Sequence, residues 1–299
     1  MSSIVTLHTK LTLEQKAQFQ QLTRAPKIAW ITVSFCVTLA ATNLISDWLG
    51  VTGHIPLWVG MILNTAVGYI AFSVGHDGVH RAISSDTRLN DAIGQLGLTL
   101  VLPYVDIRLF RWAHILHHRF ASGEKDPDIV LHGRWWTLPF RWMWIDAIYF
   151  VHALKHGDKV SKPYVMRSLI YAAIVAVLAA MLTYAGYGRA VLLLWFIPSR
   201  LMFLMLGFSF FWLPHVPHDT TQEENFTRAT TIRQGYEWFL GPVLQYQNYH
   251  LIHHLYPMTP FYNNYKVWQL LEAELRKMDL AVQHGFAISP TIYLRSPKL

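Results

Sequence analysis

Residues 55–80 read IPLWVGMILNTAVGYIAFSVGHDGVH, an apolar run that ends in two histidines, His76 and His80. The run 55–75 reaches the ~20 residues that a helix needs to cross a hydrocarbon core. Positions i and i+4 share a helix face, so His76 and His80 stand one turn apart at one end of a membrane span. A span that carries paired imidazoles at its mouth sets the expected fold class: an all-α integral membrane protein with a histidine-rich layer at one face.

Working outward, residues 29–50 form an earlier apolar run, joined to 55–75 by a very short loop. Residues 168–186 and 190–214 form a second such pair. Four spans in two hairpins follow, within a single domain covering 1–299. Residues 1–26 are polar, with an amphipathic helix expected over 11–22. No small-residue cleavage site follows 29–50, so that run reads as a span and not as a signal peptide. Residues 93–105 are apolar but too short to span, and are expected to be re-entrant or interfacial and packed against protein. Residues 135–154 mix Trp and Leu with Arg141, Asp146 and His152, which places them on the membrane surface.

Composition agrees. Of 299 residues, 53% are hydrophobic and only 14% charged, against about 25% charged in soluble domains. The net charge of +7 follows the topology: every Lys and Arg except Arg189 and Arg200 falls in segments on one side of the four spans. The positive-inside rule makes that side cytoplasmic, together with both termini. The basic character therefore reports orientation, and no nucleic-acid partner is expected. Arg200, within the fourth span beside Pro198, would cost roughly 2.5–3.5 kcal/mol facing lipid, so it is expected to pair internally. The single cysteine, Cys36, excludes intrachain disulfides and cysteine-ligated iron–sulfur or zinc sites.

Sixteen histidines are the anomaly. Beyond His76 and His80, His114, His117 and His118 lie in the 76–167 loop. His215 and His218 follow the fourth span, and His250, His253 and His254 lie in the tail. All fall on the cytoplasmic side. The i, i+3, i+4 spacing turns each triplet toward one side of a helix. A single catalytic zinc takes three protein ligands, and His-Glu-x-x-His is absent. The soluble di-iron bundles need Glu-x-x-His, which is also absent. Two metal ions sharing eight or nine imidazoles is the simplest fit, and imidazole alone does not choose among iron, zinc, copper and nickel. Asp77 and Asp219 each follow a histidine and are candidates to orient imidazoles. His8, His54, His132 and His284 read as solvated, and His152 and His156 as part of an interfacial helix.

The order His76-x-x-x-His80, His114-x-x-His117-His118 and His250-x-x-His253-His254 resembles the membrane fatty-acid desaturase/hydroxylase superfamily over about residues 55–265. The resemblance implies two iron ions held by those eight histidines, O2 as co-substrate, and oxidation of an unactivated C–H bond of a lipid. It also implies a ninth ligand after the fourth span, with His215 favoured over His218. Asp126 and Asp128 look like the acidic stretch after the second box of carotenoid-hydroxylase-like members. No His-Pro-Gly-Gly haem signature occurs, so a separate electron donor is expected: a ferredoxin, a flavodoxin or a cytochrome. Fatty-acyl desaturation or hydroxylation is the leading expectation. Carotenoid ring hydroxylation or ketolation, oxidative fatty-acid decarboxylation to a terminal alkene, and a non-catalytic lipid- or metal-binding role are the alternatives. Box spacing names no catalytic residue beyond the metal ligands, and the expected location is a bacterial inner membrane.

Overall fold

The computed structural model describes residues 7–295. It is mostly helical. After a capping box in which Thr12 and Gln15 satisfy each other's backbone N–H, α1 (Leu13–Thr23) leads to α2 (Trp30–Val51) and α3 (Leu57–Val79). Next come α4 (Thr87–Thr99), α5 (Ile107–Phe120), α6 (Leu138–Met143), α7 (Ile145–His156) and α8 (Lys162–Leu182). Short α9 (Gly188–Ala190) and α10 (Ile197–Leu206) are separated and followed by π-helical turns. The tail carries α11 (Glu237–Val243), α12 (His250–Leu255) and α13 (Asn264–Leu275).

Among the described residues, three helical runs are long and apolar enough to cross a membrane: Trp30–Val51, Leu57–Val79 and Lys162–His215. The last, at 54 residues, exceeds twice the ~20 needed for one crossing. Gly186 interrupts it with φ +94°, a backbone state that glycine reaches without steric cost. The expected pair of spans 168–186 and 190–214 is thus one apolar run broken at that glycine.

The expected re-entrant segment is α4 and the turn after it. A Cβ on Gly78 would lie 2.5 Å from Gly94 Cα, so only a glycine pair lets α3 and α4 approach this closely beside the first histidine pair. Asn90 then locks the turn after His80: its amide donates to Gly78 O at 2.8 Å and its oxygen accepts from Ile83 N at 3.2 Å. Arg111 of α5 donates to Val79 O and Gly78 O, both at 2.8 Å, and pairs with Asp91 at 2.6 Å. The carbonyls left free at the end of a helix are here satisfied by a neighbour, which fixes where His76 and His80 stand.

Two expectations need correction. The chain is not purely α-helical: β1 (Thr231–Gln234) pairs in parallel with β2 (Leu280–His284), which pairs antiparallel with β3 (Thr291–Tyr293). Residues 135–154 are not a uniform surface helix either. They break at Trp144 into α6 and α7, and Trp142 and Ile145 are buried in the main core. The sheet closes a second core, with Ile232, Leu251, Leu271 and Val282 against Phe19 and Leu22 of α1. The apolar face of α1 is therefore spent on protein. Arg200 pairs internally, as expected, with Asp146 at 2.7 Å. It also lies over the rings of Trp144, Phe196 and Phe203.

Candidate metal centre

Four elements carry the histidines to one place. The end of α3 supplies His76 and His80, α5 supplies His114, His117 and His118, and α12 supplies His250, His253 and His254. A short 3₁₀ turn at the end of the third apolar run supplies His215. They sort into two groups. His76, His80, His114, His118 and His253 form one, and His117, His215, His250 and His254 the other; within each, the ligand atoms lie within 4.8 Å of one another. The groups adjoin, with the rings of His118 and His254 stacked at 4.1 Å.

The spacing carries chemical information. Nε2 of His76 lies 2.9 Å from that of His114, and His118 Nε2 lies 3.2 Å and 2.9 Å from those of His114 and His253. In the second group, His250 Nε2 is 3.0 Å from His215 Nε2 and 3.1 Å from His254 Nε2. Donors bound at about 2.1 Å to a common ion, and at right angles to each other, stand about 3.0 Å apart. N–H···N bonds cannot satisfy the set, because one Nε2 proton serves a single neighbour while His118 Nε2 faces two. His80 Nε2 has no hydrogen-bond partner at all. A buried polar atom without a partner is costly, and a cation at each hub removes that cost. The residues fit two metal ions.

Protonation points the same way. Burial holds His114, His118, His250, His253 and His254 well below the ordinary imidazole value, and with Arg111 and His117 it pushes His80 down to about 3. These rings are neutral at pH 7, the form that ligates metals. His117 differs. Burial lowers it, but the carboxylates of Asp126 and Asp128 outweigh burial and raise it to about 9. Its Nδ1 lies 3.0 Å from Asp126 and 3.2 Å from Asp128, which leaves Nε2 to serve the second group once a bound cation displaces its proton. Tyr149 donates to Asp128.

Other outer partners act alike. His250 Nδ1 donates to Gln247 Oε1 at 2.5 Å and His215 Nδ1 to Ala229 O at 3.2 Å. Each such bond fixes the tautomer that presents Nε2 inward. Losing an outer partner of a metal ligand costs 10–100-fold in metal affinity or activity. Asp126→Asn is therefore expected to lower metal retention by roughly tenfold or more, read by metal analysis after dialysis against a graded chelator series. An unchanged retention curve would show that Asp126 does not orient His117.

Of His215 and His218, the structure brings His215 into the cluster and leaves His218 outside, its ring 3.9 Å from that of His132. His132, expected to be solvated, is half-buried against His218. His152 and His156 lie together on α7, outside both groups. Among the described residues, neither Asp77 nor Asp219 hydrogen-bonds an imidazole. Asp77 is buried, accepting from Thr32 Oγ1 at 3.0 Å and Phe261 N at 3.2 Å, and Asp219 pairs with Arg228 at 2.8 Å. Nothing in the sequence pointed to Gln247 or Ala229, because neither position carries a motif. Asp126 and Asp128 were visible as an acidic stretch resembling that of carotenoid-hydroxylase-like members, with no sign that they meet His117.

An apolar slot adjoins the first group, lined by Phe72, Phe110, Ala113, Tyr149 and Phe211 among others. Phe72 and Phe110 hold their rings 6.1 Å and 5.6 Å from His76 and His114. Phe210 and Phe211 are buried beside it.

The comparisons agree with this chemistry. The family model "Fatty acid desaturase" matches residues 14–286. A beta-carotene ketolase of Paracoccus sp. (strain PC1) is 30% identical over 194 residues, 64% of this chain and 70% of that protein. A chloroplastic omega-6 fatty acid desaturase of Glycine max is 26% identical over 271 residues, 79% of this chain and 60% of that protein.

Proposed function

The chain belongs to the fatty acid desaturase family and is a membrane-associated oxidoreductase that oxidises a lipid by desaturation or hydroxylation, and on that premise we propose that it does so at two iron ions held by nine histidines. His76, His80, His114, His118 and His253 would hold one iron, and His117, His215, His250 and His254 the other. The observation that carries the proposal is the sorting of the rings into two adjoining hubs. Iron bound there supplies the reduction of O2 that drives C–H oxidation. The chain's own residues do the rest.

The apolar slot, about 40 Å³ as it stands, would widen to confine a hydrocarbon chain beside the five-histidine group and exclude water there. Phe72, Phe110 and Phe211 set which carbon approaches, since a misplacement of about 1 Å costs about 100-fold in rate. Asp126 and Asp128 keep His117 aimed. Electrons come from a separate ferredoxin, flavodoxin or cytochrome. The third apolar run is read as two spans turning at Gly186, so that four spans place the histidines and most Lys and Arg on the cytoplasmic side of a bacterial inner membrane.

A fatty-acyl chain suits a slot lined almost wholly by apolar side chains. A second reading, oxidation of a carotenoid ring, is favoured by the ketolase similarity. Expression in a host supplied separately with fatty acids and β-carotene, followed by mass spectrometry, separates them. Altered acyl chains with untouched carotenoid are expected; oxidised carotenoid with untouched acyl chains would replace the first reading with the second.

A further inference from the structure

The end of the bundle remote from the histidines is not packed shut. A cavity of about 480 Å³ opens there between α2, α3, α8 and the run from Tyr187 to Met202, within the range of roughly 300–1,000 Å³ typical of ligand pockets. Its depth follows from α3. Asn64, on its wall, precedes His76 by twelve residues, so it lies about 18 Å from that histidine at 1.5 Å per residue. The turn after α4 (Thr99–Pro103) and Met202 line its inner end, separating it from the apolar slot. Along α8 only Val165 and Ser168 are buried, so this arm stands off from the bundle and the protein itself does not fill the gap.

The walls are mostly aliphatic, with Leu178, Leu182 and Leu194 prominent, but the polar groups are arranged. Asn64 is buried, and its amide donates to Asp47 Oδ1 and to Leu194 O, both at 2.7 Å. Its own oxygen has no partner. Asp47, half-buried, forms no ion pair among the described residues. Acidic side chains in membrane segments normally find a cationic or hydrogen-bonding partner. Asp47 offers a free carboxylate oxygen beside an unpaired amide oxygen, and so calls for a donor that the described residues do not supply. Arg189 stands on the rim, exposed between the lining residues Tyr187 and Ala190. It is the single Lys or Arg between Arg167 and Arg200, and none occurs between Lys27 and Arg81. An anionic acceptor and a cationic donor thus stand beside a cavity lined by aliphatic side chains.

We propose that this cavity binds one zwitterionic phospholipid with a primary ammonium head, its acyl chains against Leu178, Leu182 and Leu194, its ammonium on Asp47 and its phosphate toward Arg189. The site is separate from the oxidation site and does not depend on which lipid is oxidised. A primary ammonium donates hydrogen bonds to Asp47 and Asn64, whereas a trimethylammonium has no N–H and a glycerol head carries no positive charge.

The test is native mass spectrometry of the full chain in detergent, after equilibration with vesicles of equimolar dioleoyl phosphatidylethanolamine, phosphatidylcholine and phosphatidylglycerol. One retained lipid per chain is expected, with the ethanolamine form enriched about tenfold, the worth of one charge-assisted hydrogen bond. Asp47→Asn keeps the shape and is expected to erase the preference. Leu178→Trp, which narrows the cavity, is expected to lower retention several-fold while the metal content stays unchanged. Retention in vesicle proportions, no retention, or an ethanolamine preference that survives Asp47→Asn would each overturn the proposal.

Discussion

Alanine at His118 is expected to lower turnover by more than about 100-fold, because losing even an outer partner of a ligand costs 10–100-fold. The same change should remove the metal of the five-histidine group and leave the other. His250→Ala should do the converse: an equally deep loss of activity, with metal lost from the four-histidine group. The two variants are distinguishable because the groups share no ligand. Metal analysis should therefore give about one ion per chain for each single variant and none for the double. Membrane insertion should be unaffected, since both residues lie outside the three apolar runs. Turnover within a few-fold of the parent in either variant would remove that histidine from the centre.

Arg200→Ala carries the largest expected effect on stability. Its guanidinium donates to Asp146 Oδ1 at 3.0 Å, to Asp146 Oδ2 at 2.7 Å and to Met143 O at 3.0 Å, and Tyr104 donates to the same carboxylate. The pair is nearly enclosed, with side-chain exposures of 13% and 10%. Removing one partner of a buried ion pair costs about 3–5 kcal/mol, because it strands the other charge. The loss is expected in chemical unfolding in detergent, together with loosening of α7 from α10. Asp146→Asn added to Arg200→Ala removes the stranded charge and should recover a substantial part. A double variant no more stable than Arg200→Ala would place the cost in lost ring packing instead.

What the sequence disclosed follows from how local each signal is. Hydropathy found the apolar runs because a membrane span is a property of consecutive residues. Spacing alone brought the rings of each box to one side of a helix. The choice of His215 over His218 was not legible from composition. The two differ by three positions, and the turn after the last apolar run decides which faces inward. The role of Asp126 depended on α5 ending where His117 Nδ1 meets it, nine residues away in sequence. Asp77 misled for the converse reason: adjacency to His76 on a helix points its side chain elsewhere, toward Thr32 of α2. The sheet escaped notice because β1 pairs with β2 across some fifty intervening residues, and neither strand alternates clearly enough to stand out.

The central claim is that nine imidazoles hold two irons. The most direct test is iron quantitation combined with iron X-ray absorption on the full chain purified in an active state. Two irons per chain with a first shell dominated by histidine nitrogen near 2.1 Å are predicted. Active protein carrying one iron or none, or a first shell dominated by sulfur or carboxylate oxygen, would contradict the account.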